Sequence, residues 1–403
     1  MRRLYIENFG PVSKAELELK DVNMLIGEQS VGKSTIAKVV TIMTDYYSLM
    51  MLVHFGKDGW KRHLKTYNLT PYAKDNYLIK YYFEEKKVQF NFEITPQAVN
   101  YFCVDSNGNK NTESDYVQQQ LLNLKPIFHS NIFSEQVNDL LTNKNNQEDT
   151  DTFIDSFSEL MYNSLYIPAE RIVYSLFSKL QPALNLMKES IPNNLLRFMI
   201  ELTNAKSKYP QYEASLLRVK YVKEKSEDYI VDSKSKKKIH LSNASSGIQS
   251  TLPLLQVLDY AINHKEYSSF VIEEPESNLF PEKQVELLRY ILEKVKGNKR
   301  IITITTHSPY LLSSLNNSLY LGYLTKRYGK KVDSVTPNIP RVTPGECSVY
   351  SLGASVNGDD IYCKSILDEK NNLINSNSLD GISFKMSDEF EEIEDAFIEL
   401  RKR

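Results

Sequence analysis

The chain opens on two segments that alternate apolar and polar residues, RLYIENF and KAELELK, separated by NFGP. A period of two marks half-buried strands, and a Pro/Gly spacer between two such runs predicts a hairpin. The next run, DVNMLIG, is nearly continuous in apolar residues and reads as a buried strand. STIAKVVTIM then places Ile36, Val39, Val40 and Met43 on one helical face. The apolar window Val39–Phe55 continues from it and reads as buried helix: it falls short of the roughly 20 residues of a membrane span and carries Asp45. Further on, YLIKYYFEEKKVQFNFEI predicts a second hairpin, and QPALNLMKESIPNNLLRFMIELTNA predicts paired amphipathic helices. FVI and IITIT have the composition of buried strands. Leu254, Leu255, Leu258 and Ile262 line one face of a helix. Because Pro253 has no N–H, it is expected within the first four residues of that helix, which sets the start between Ser246 and Ser250.

Chemistry enters at GEQSVGKST, which fits G-x-x-x-x-G-K-[ST] and sits between the buried strand and the first helix. Strand, loop, helix is the order a phosphate-binding loop requires. Gly27, Glu28, Gln29, Ser30, Val31, Gly32, Lys33, Ser34 and Thr35 form the expected cradle. Backbone N–H groups would hold β- and γ-phosphate, Lys33 would neutralise charge, and Ser34 would ligate Mg²⁺. ATP and Mg²⁺ are therefore the expected cofactors. The strand FVI ends in Glu273 and Glu274, which suggests a division of labour: Glu273 holds Mg²⁺, and Glu274 orients and deprotonates the attacking water. IITITT leads into His307, followed by Ser-Pro. LSNASSGIQS, with small residues at the start of the helix bearing Leu254, offers an N-terminal anion site around Ser246 and Gly247.

Composition narrows the class. The 403 residues are 41% hydrophobic, enough for a real core, and 49 Lys plus Arg against 51 Asp plus Glu give a net charge of −2. Nothing in that balance points to nucleic acid or membrane, so any basic surface is local. One local run exists, Lys234 to Lys238; a hairpin tip is its favoured reading and a phosphate-backbone contact the alternative. Three cysteines far apart in sequence and the lack of an apolar leader fit a cytoplasmic protein.

The order of loop, small-residue signature, Glu-Glu-Pro-Glu and Thr-His-Ser-Pro resembles the ABC-type ATPases of the overcoming-lysogenization-defect (OLD) group, often described as AAA-family ATPases. The resemblance implies an α/β fold: a P-loop NTPase head of ABC type with a mixed β-sheet. It would fill residues 1–330, with an inserted compact helical and β lobe over roughly 50–235. A small C-terminal appendage over 331–403 would carry an acidic helix, SDEFEEIEDAFIELRKR. Ser246 and Gly247 become the signature that binds the γ-phosphate held by an opposite subunit, His307 the switch histidine, and ESNL a loop crossing a dimer interface. YIPAER also resembles a motif of the group; Glu170 and Arg171 would approach the nucleotide, or form a salt-bridged helix start.

The chain departs from that group in two ways. Phe280 stands where OLD-type proteins often have His and ABC transporters have Asp. The nuclease (Toprim) half is missing, with about 90 residues left after Leu315. Seven prolines, from Pro71 to Pro210, and the lack of heptads exclude the coiled-coil arm of chromosome-structure ATPases. The expected machine is a homodimer or higher homo-oligomer with shared ATP sites. It would sense or regulate a nuclease or toxin encoded in trans, as Septu-like and retron-associated ATPases of anti-phage defence do. The rival readings are a RecF-like repair ATPase that binds DNA directly, a structural ATP-binding module and a transporter subunit.

Overall fold

One central sheet divides two hydrophobic cores. The computed structural model describes residues 1–124, 163–177, 192–225, 227–264, 267–295, 300–329, 332, 339–343, 345–353, 362–368 and 370–375. The chain begins with the expected hairpin, β1 (Arg2–Phe9) and β2 (Val12–Leu19), followed by the loop strand β3 (Val22–Gly27) and helices α1 (Lys33–Met43) and α2 (Tyr46–Thr66). Strands β4 (Leu78–Glu85), β5 (Val88–Ile94), β6 (Val99–Val104) and β7 (Lys110–Asn111) lead to helix α3 (Ser114–Leu124). Then come β8 (Ser164–Ile167), the short helix α4 (Ile172–Phe177) and α5 (Asn193–Lys208). Four short strands follow: β9 (Gln211–Ala214), β10 (Val219–Glu224), β11 (Glu227–Asp232) and β12 (Lys238–His240). The remainder runs α6 (Ser246–His264), β13 (Ser269–Glu273), α7 (Pro281–Val295), β14 (Ile301–Thr306), α8 (Pro309–Tyr328), β15 (Cys347–Leu352) and β16 (Cys363–Ser365).

The central sheet has the order β16-β15-β3-β14-β13-β8 and is parallel except for β16 at its edge. Parallel strands covered on both faces need apolar residues at successive positions, which is why DVNMLIG, FVI and IITIT are runs rather than alternations. The register shows the sorting. Val349, Met24, Ile304, Ile272 and Ile167 lie abreast across five strands, and all five belong to the core that includes α5, α6, α7 and α8. One residue along, Tyr350 and Leu25 face the other core, shared with α1, α2 and the antiparallel sheet β2-β1-β4-β5-β6-β7.

The opening hairpin pairs through β1 with β4, in a different sheet from the loop strand. Several sequence-based expectations are corrected by this topology. The β4–β5 hairpin is present as expected, but it extends the head's antiparallel sheet, and β8 is a strand of the central sheet, so the span 50–235 is not a separate inserted lobe. Nor does the head end at 330: β15 lies beside β3 within the central sheet. The long apolar window Val39–Phe55 is two helices bent by 79°, not one. The break comes where Asp45 caps α2, accepting from Tyr47 N at 3.2 Å and Ser48 Oγ at 2.9 Å. Among the described residues no single helix is long and apolar enough to cross a membrane. The run Lys234–Lys238 leads from the β11–β12 turn into β12, with Lys238 paired to Glu224. The loop expected at 142–152, the first of the paired helices and the acidic C-terminal helix lie outside the described residues.

Helix α6 starts at Ser246, inside the expected range, but Pro253 is its eighth residue rather than one of its first four. An interior proline takes away the N–H that the carbonyl of Gln249 would have received. That carbonyl instead accepts from the Ser175 hydroxyl at 2.9 Å, and the next one, of Ser250, accepts from Arg171 Nε at 3.1 Å. Two side chains flanking the start of α4 thus satisfy backbone acceptors beside the proline.

Candidate active site

The C-terminal ends of three neighbouring parallel strands form the site. β3 runs into the glycine loop, β13 into the glutamates, and β14, which lies between them, into His307. Open α/β sheets place their ligand crevices at such strand ends. Gly27 (φ 151°), Ser30 (φ 64°) and Gly32 (φ 94°) shape the loop. At two of these positions space as well as backbone demands glycine. A Cβ on Gly27 would lie 2.5 Å from the carbonyl oxygen of Leu352, and one on Gly32 would lie 2.6 Å from the Tyr362 hydroxyl. Tyr362 also donates to the carbonyl of Val31. The loop is therefore backed by β15 and by the residue before β16, an interaction no motif announces. Glu28, Gln29, Ser30 and Ser34 are exposed, Val31 is half-buried, and Lys33 and Thr35 are buried.

Lys33 donates to the carbonyls of Gly27 at 2.9 Å and Glu28 at 2.6 Å, and its ammonium lies 3.5 Å from His307 Nδ1. The other ring nitrogen, Nε2, is 3.1 Å from Glu274 Oε1. A neutral ring with its proton on Nε2 satisfies both contacts, accepting from Lys33 and donating to Glu274. Burial pushes the Lys33 ammonium down to about 8, against the pull of Glu274, Glu276, Glu273 and Glu28.

Glu273 and Glu274 are adjacent in sequence but differ in environment. Glu273 ends β13 and is buried; its Oε2 accepts from the Tyr166 hydroxyl at 2.5 Å. Burial raises its pKa, while the hydroxyls of Tyr166 and Ser34 favour the charged form. Glu274 leaves the strand with φ 39°, a left-handed conformation that costs a non-glycine residue about 1–2 kcal/mol. Its N–H still bonds Thr305 O at 3.0 Å, so the turn is anchored to β14 while its half-buried side chain faces His307.

Two further residues hold the site together, Glu276, the first residue of the ESNL stretch, and Tyr166. Glu276 is buried, and its Oε1 accepts from Thr306 Oγ1 at 2.6 Å and from His307 N at 2.9 Å, which fixes the end of β14 against the turn after β13. Tyr166, in the YIPAER stretch, holds Glu273. Arg171 of the same stretch turns its donors to backbone carbonyls and forms no salt-bridged helix start. It is fully buried and directs its N–H groups at five backbone carbonyls, while the neighbouring Glu170 is exposed. Ser246 and Gly247 open α6, with Ser246 exposed. A Cβ on Gly247 would meet the Asn278 carbonyl oxygen at 2.8 Å, so this helix start lies directly on the loop that follows Glu274.

The residues present fit a magnesium ion. Glu273 Oε1 is buried with no hydrogen-bond partner, and the Ser34 hydroxyl lies close to the same carboxylate. Hydroxyl and carboxylate oxygens are the hard donors Mg²⁺ takes, with phosphate and water completing its shell. No cluster of three His, Cys, Asp or Glu side chains occurs among the described residues, so nothing there competes as an all-protein metal cage.

A glycine loop at the end of a parallel strand, flanked by a strand-end carboxylate pair, defines a P-loop ATPase of mixed α/β architecture. The AAA ATPase domain family matches residues 1–166 and 154–312, and the chain belongs to it. Among solved structures the chain is similar to the SMC head domain from Thermotoga maritima, with 15% identity, a TM-score of 0.39, and coverage of 77% of this chain and 90% of that one. It is also similar to an SmcHead bound to the C-winged helix domain of ScpA (13%, TM-score 0.42, coverage 90% and 96%). A third is the Smc head domain with an extended coiled coil bound to the C-terminal domain of ScpA from Pyrococcus furiosus (12%, TM-score 0.41, coverage 97% and 100%). None of the curated proteins matches.

Proposed function

We propose that the protein hydrolyses ATP between two heads, each site built from the phosphate loop and glutamates of one chain and the α6 start of the other. The observation that carries this reading is the relay Lys33–His307–Glu274, with separations of 3.5 and 3.1 Å. It joins a phosphate-binding cation to a carboxylate suited to water activation through one ring. In this reading Lys33 and the loop N–H groups hold the phosphates, and Ser34 and Glu273 hold Mg²⁺, which would neutralise developing phosphate charge. Glu274 takes the proton of the attacking water, and His307 orients Glu274 and senses the γ-phosphate. The composite arrangement is supported by Gly247 lying against Asn278, and by Phe280, on the same loop, with 76% of its surface exposed. An apolar ring so exposed beside a small-residue helix start suits a second copy of the chain.

The finer role rests on the resemblance to the OLD group: a dimer whose geometry follows ATP occupancy and which regulates a nuclease or toxin supplied in trans. Phosphate release by the purified chain, compared with Glu274→Gln, tests the core of the reading; equal rates would overturn it. Salt-sensitive DNA binding by the purified chain would move the finer role to a RecF-like repair ATPase.

A further inference from the structure

Arg171 lies outside the residues that would touch nucleotide, yet it is placed between the two parts that the proposed function assigns to different ATP sites. Its Nε donates to Ser250 O at 3.1 Å, in the first turns of α6, the helix whose start would reach the partner's nucleotide. Nη1 donates to Pro168 O at 3.1 Å and Glu273 O at 2.8 Å; Nη2 donates to Glu274 O at 2.8 Å and Pro275 O at 3.2 Å. All five guanidinium N–H groups are thus used, three of them on the carbonyls of the catalytic turn. Ser175 adds a second grip on α6 through Gln249 O. The guanidinium is fully buried. Burial pushes it down to about 10, still charged at neutral pH, held there by Glu276, Glu274, Glu273 and Glu170.

A buried charge with every donor satisfied resists sliding. Pulling any one carbonyl away leaves a charged donor unpaired in a dry site, so the pieces it joins move as one body. Pro253 strengthens the link, because it frees the Gln249 carbonyl that Ser175 takes.

We infer that Arg171 is a positioning residue that couples the two ATP sites: displacement of α6 by the nucleotide in one site is passed through its guanidinium to the Glu274 turn of the other. This inference rests on the composite-site reading above. It requires cooperative hydrolysis, with a Hill coefficient approaching the number of sites, about 2 in a dimer. Lysine retains the charge but presents its donors from a single point, so it cannot span five carbonyls.

The test is steady-state phosphate release against ATP concentration for the full chain, Arg171→Lys and Ser175→Ala, alongside equilibrium ATP binding. Arg171→Lys is expected to lower kcat tenfold or more and bring the Hill coefficient to about 1, with ATP affinity within about threefold of wild type. Ser175→Ala, which loosens α6 without touching β13, is expected to lower the Hill coefficient while leaving affinity unchanged, and it decides the matter if Arg171→Lys does not fold. A purely structural role would lower melting temperature without changing the Hill coefficient. Wild-type cooperativity retained in the folded variants overturns the coupling, as does a wild type that hydrolyses ATP with a Hill coefficient of about 1. A wild type with no hydrolysis overturns instead the functional reading beneath it.

Discussion

The Nε2 of His307 lies 3.1 Å from Oε1 of Glu274, although the two residues end different strands. The contact exists because β13 and β14 are parallel neighbours in register, Glu273 opposite Thr305, and because Glu274 turns out of the strand at positive φ. A carboxylate placed this way can accept a proton from water while the ring fixes its orientation. Glu274→Gln keeps size and hydrogen-bonding capacity but removes the base. Turnover is expected to fall by roughly 10²–10⁴, with ATP affinity retained. With Mg-ATP the variant is expected to accumulate as a stable dimer in sizing measurements. Normal phosphate release by Glu274→Gln would remove Glu274 from the chemistry.

Lys33 supplies a pH dependence whose sign follows from its environment. Its pKa in the folded chain is about 8, below the ordinary 10.5, because burial outweighs the surrounding carboxylates. The folded chain therefore holds fewer protons on this group than the unfolded chain does between about pH 8 and 10.5. The cost of burying the charge is fully present below pH 8 and is relieved as pH rises through that window. Phosphate binding needs the charged form, so ATP affinity is expected to weaken as pH rises above 8. Lys33→Ala is expected to reduce affinity tenfold or more, in line with about 1.5–3 kcal/mol for a charged hydrogen bond, and to abolish the pH dependence. Titration calorimetry across pH 7 to 9.5 reads both; a variant with wild-type affinity would rule out Lys33 as the phosphate ligand.

Much of this site was legible in the sequence because its parts are local. A glycine loop needs its glycines at fixed spacing, and the buried parallel strands that carry it need unbroken apolar runs, so GEQSVGKST, Glu273–Glu274 and His307 stood out with their strands. What was not legible depends on contacts between distant segments. Nothing in YIPAER distinguishes an arginine that meets a nucleotide from one that spends four of its five donors on carbonyls about 80 to 100 residues away. Pro253 misled for a similar reason: an interior proline is tolerable when another element supplies the missing donor, which here comes from Ser175, with Arg171 bonded to the next carbonyl. The antiparallel sheet was misjudged as an inserted lobe because alternation reveals that a strand is half-buried, not which strand it pairs with.

Glu276 tests how His307 is held. Its Oε1 accepts from both Thr306 Oγ1 and the His307 N–H, which favour the charged form, while burial raises its pKa. Glu276→Ala leaves two donors without their acceptor and is expected to cost about 1.5–3 kcal/mol, with a marked drop in turnover as the end of β14 loosens. Glu276→Gln keeps the acceptor oxygen for both donors, so its melting temperature is expected to stay near wild type and most of the turnover to survive. The comparison needs melting curves and phosphate release on the same preparations. Equal behaviour of the Ala and Gln variants would show that the acceptor oxygen is unimportant.

The composite site makes the sharpest demand, because two inactive chains should repair each other. Ser246 is exposed at the start of α6, so Ser246→Arg is expected to fold and to bind ATP through its own phosphate loop. A bulky cation there would block the partner's γ-phosphate, and a homodimer of the variant is expected not to turn over. Lys33→Ala homodimers fail for the opposite reason, since neither loop holds nucleotide. In a mixed dimer, the Ser246→Arg chain contributes an intact loop and glutamates, and the Lys33→Ala chain offers that site an intact α6 start. One of the two sites is whole, so mixing the inactive variants is expected to restore phosphate release, to at most about half of wild type per mixed dimer if the sites act independently. Cooperativity between sites would lower that figure without abolishing it. Mixed dimers can be isolated by giving the two variants different affinity tags. If they form, bind ATP and remain inactive, while each variant chain is shown to be folded, the sites are not shared between chains and the α6 start has another role.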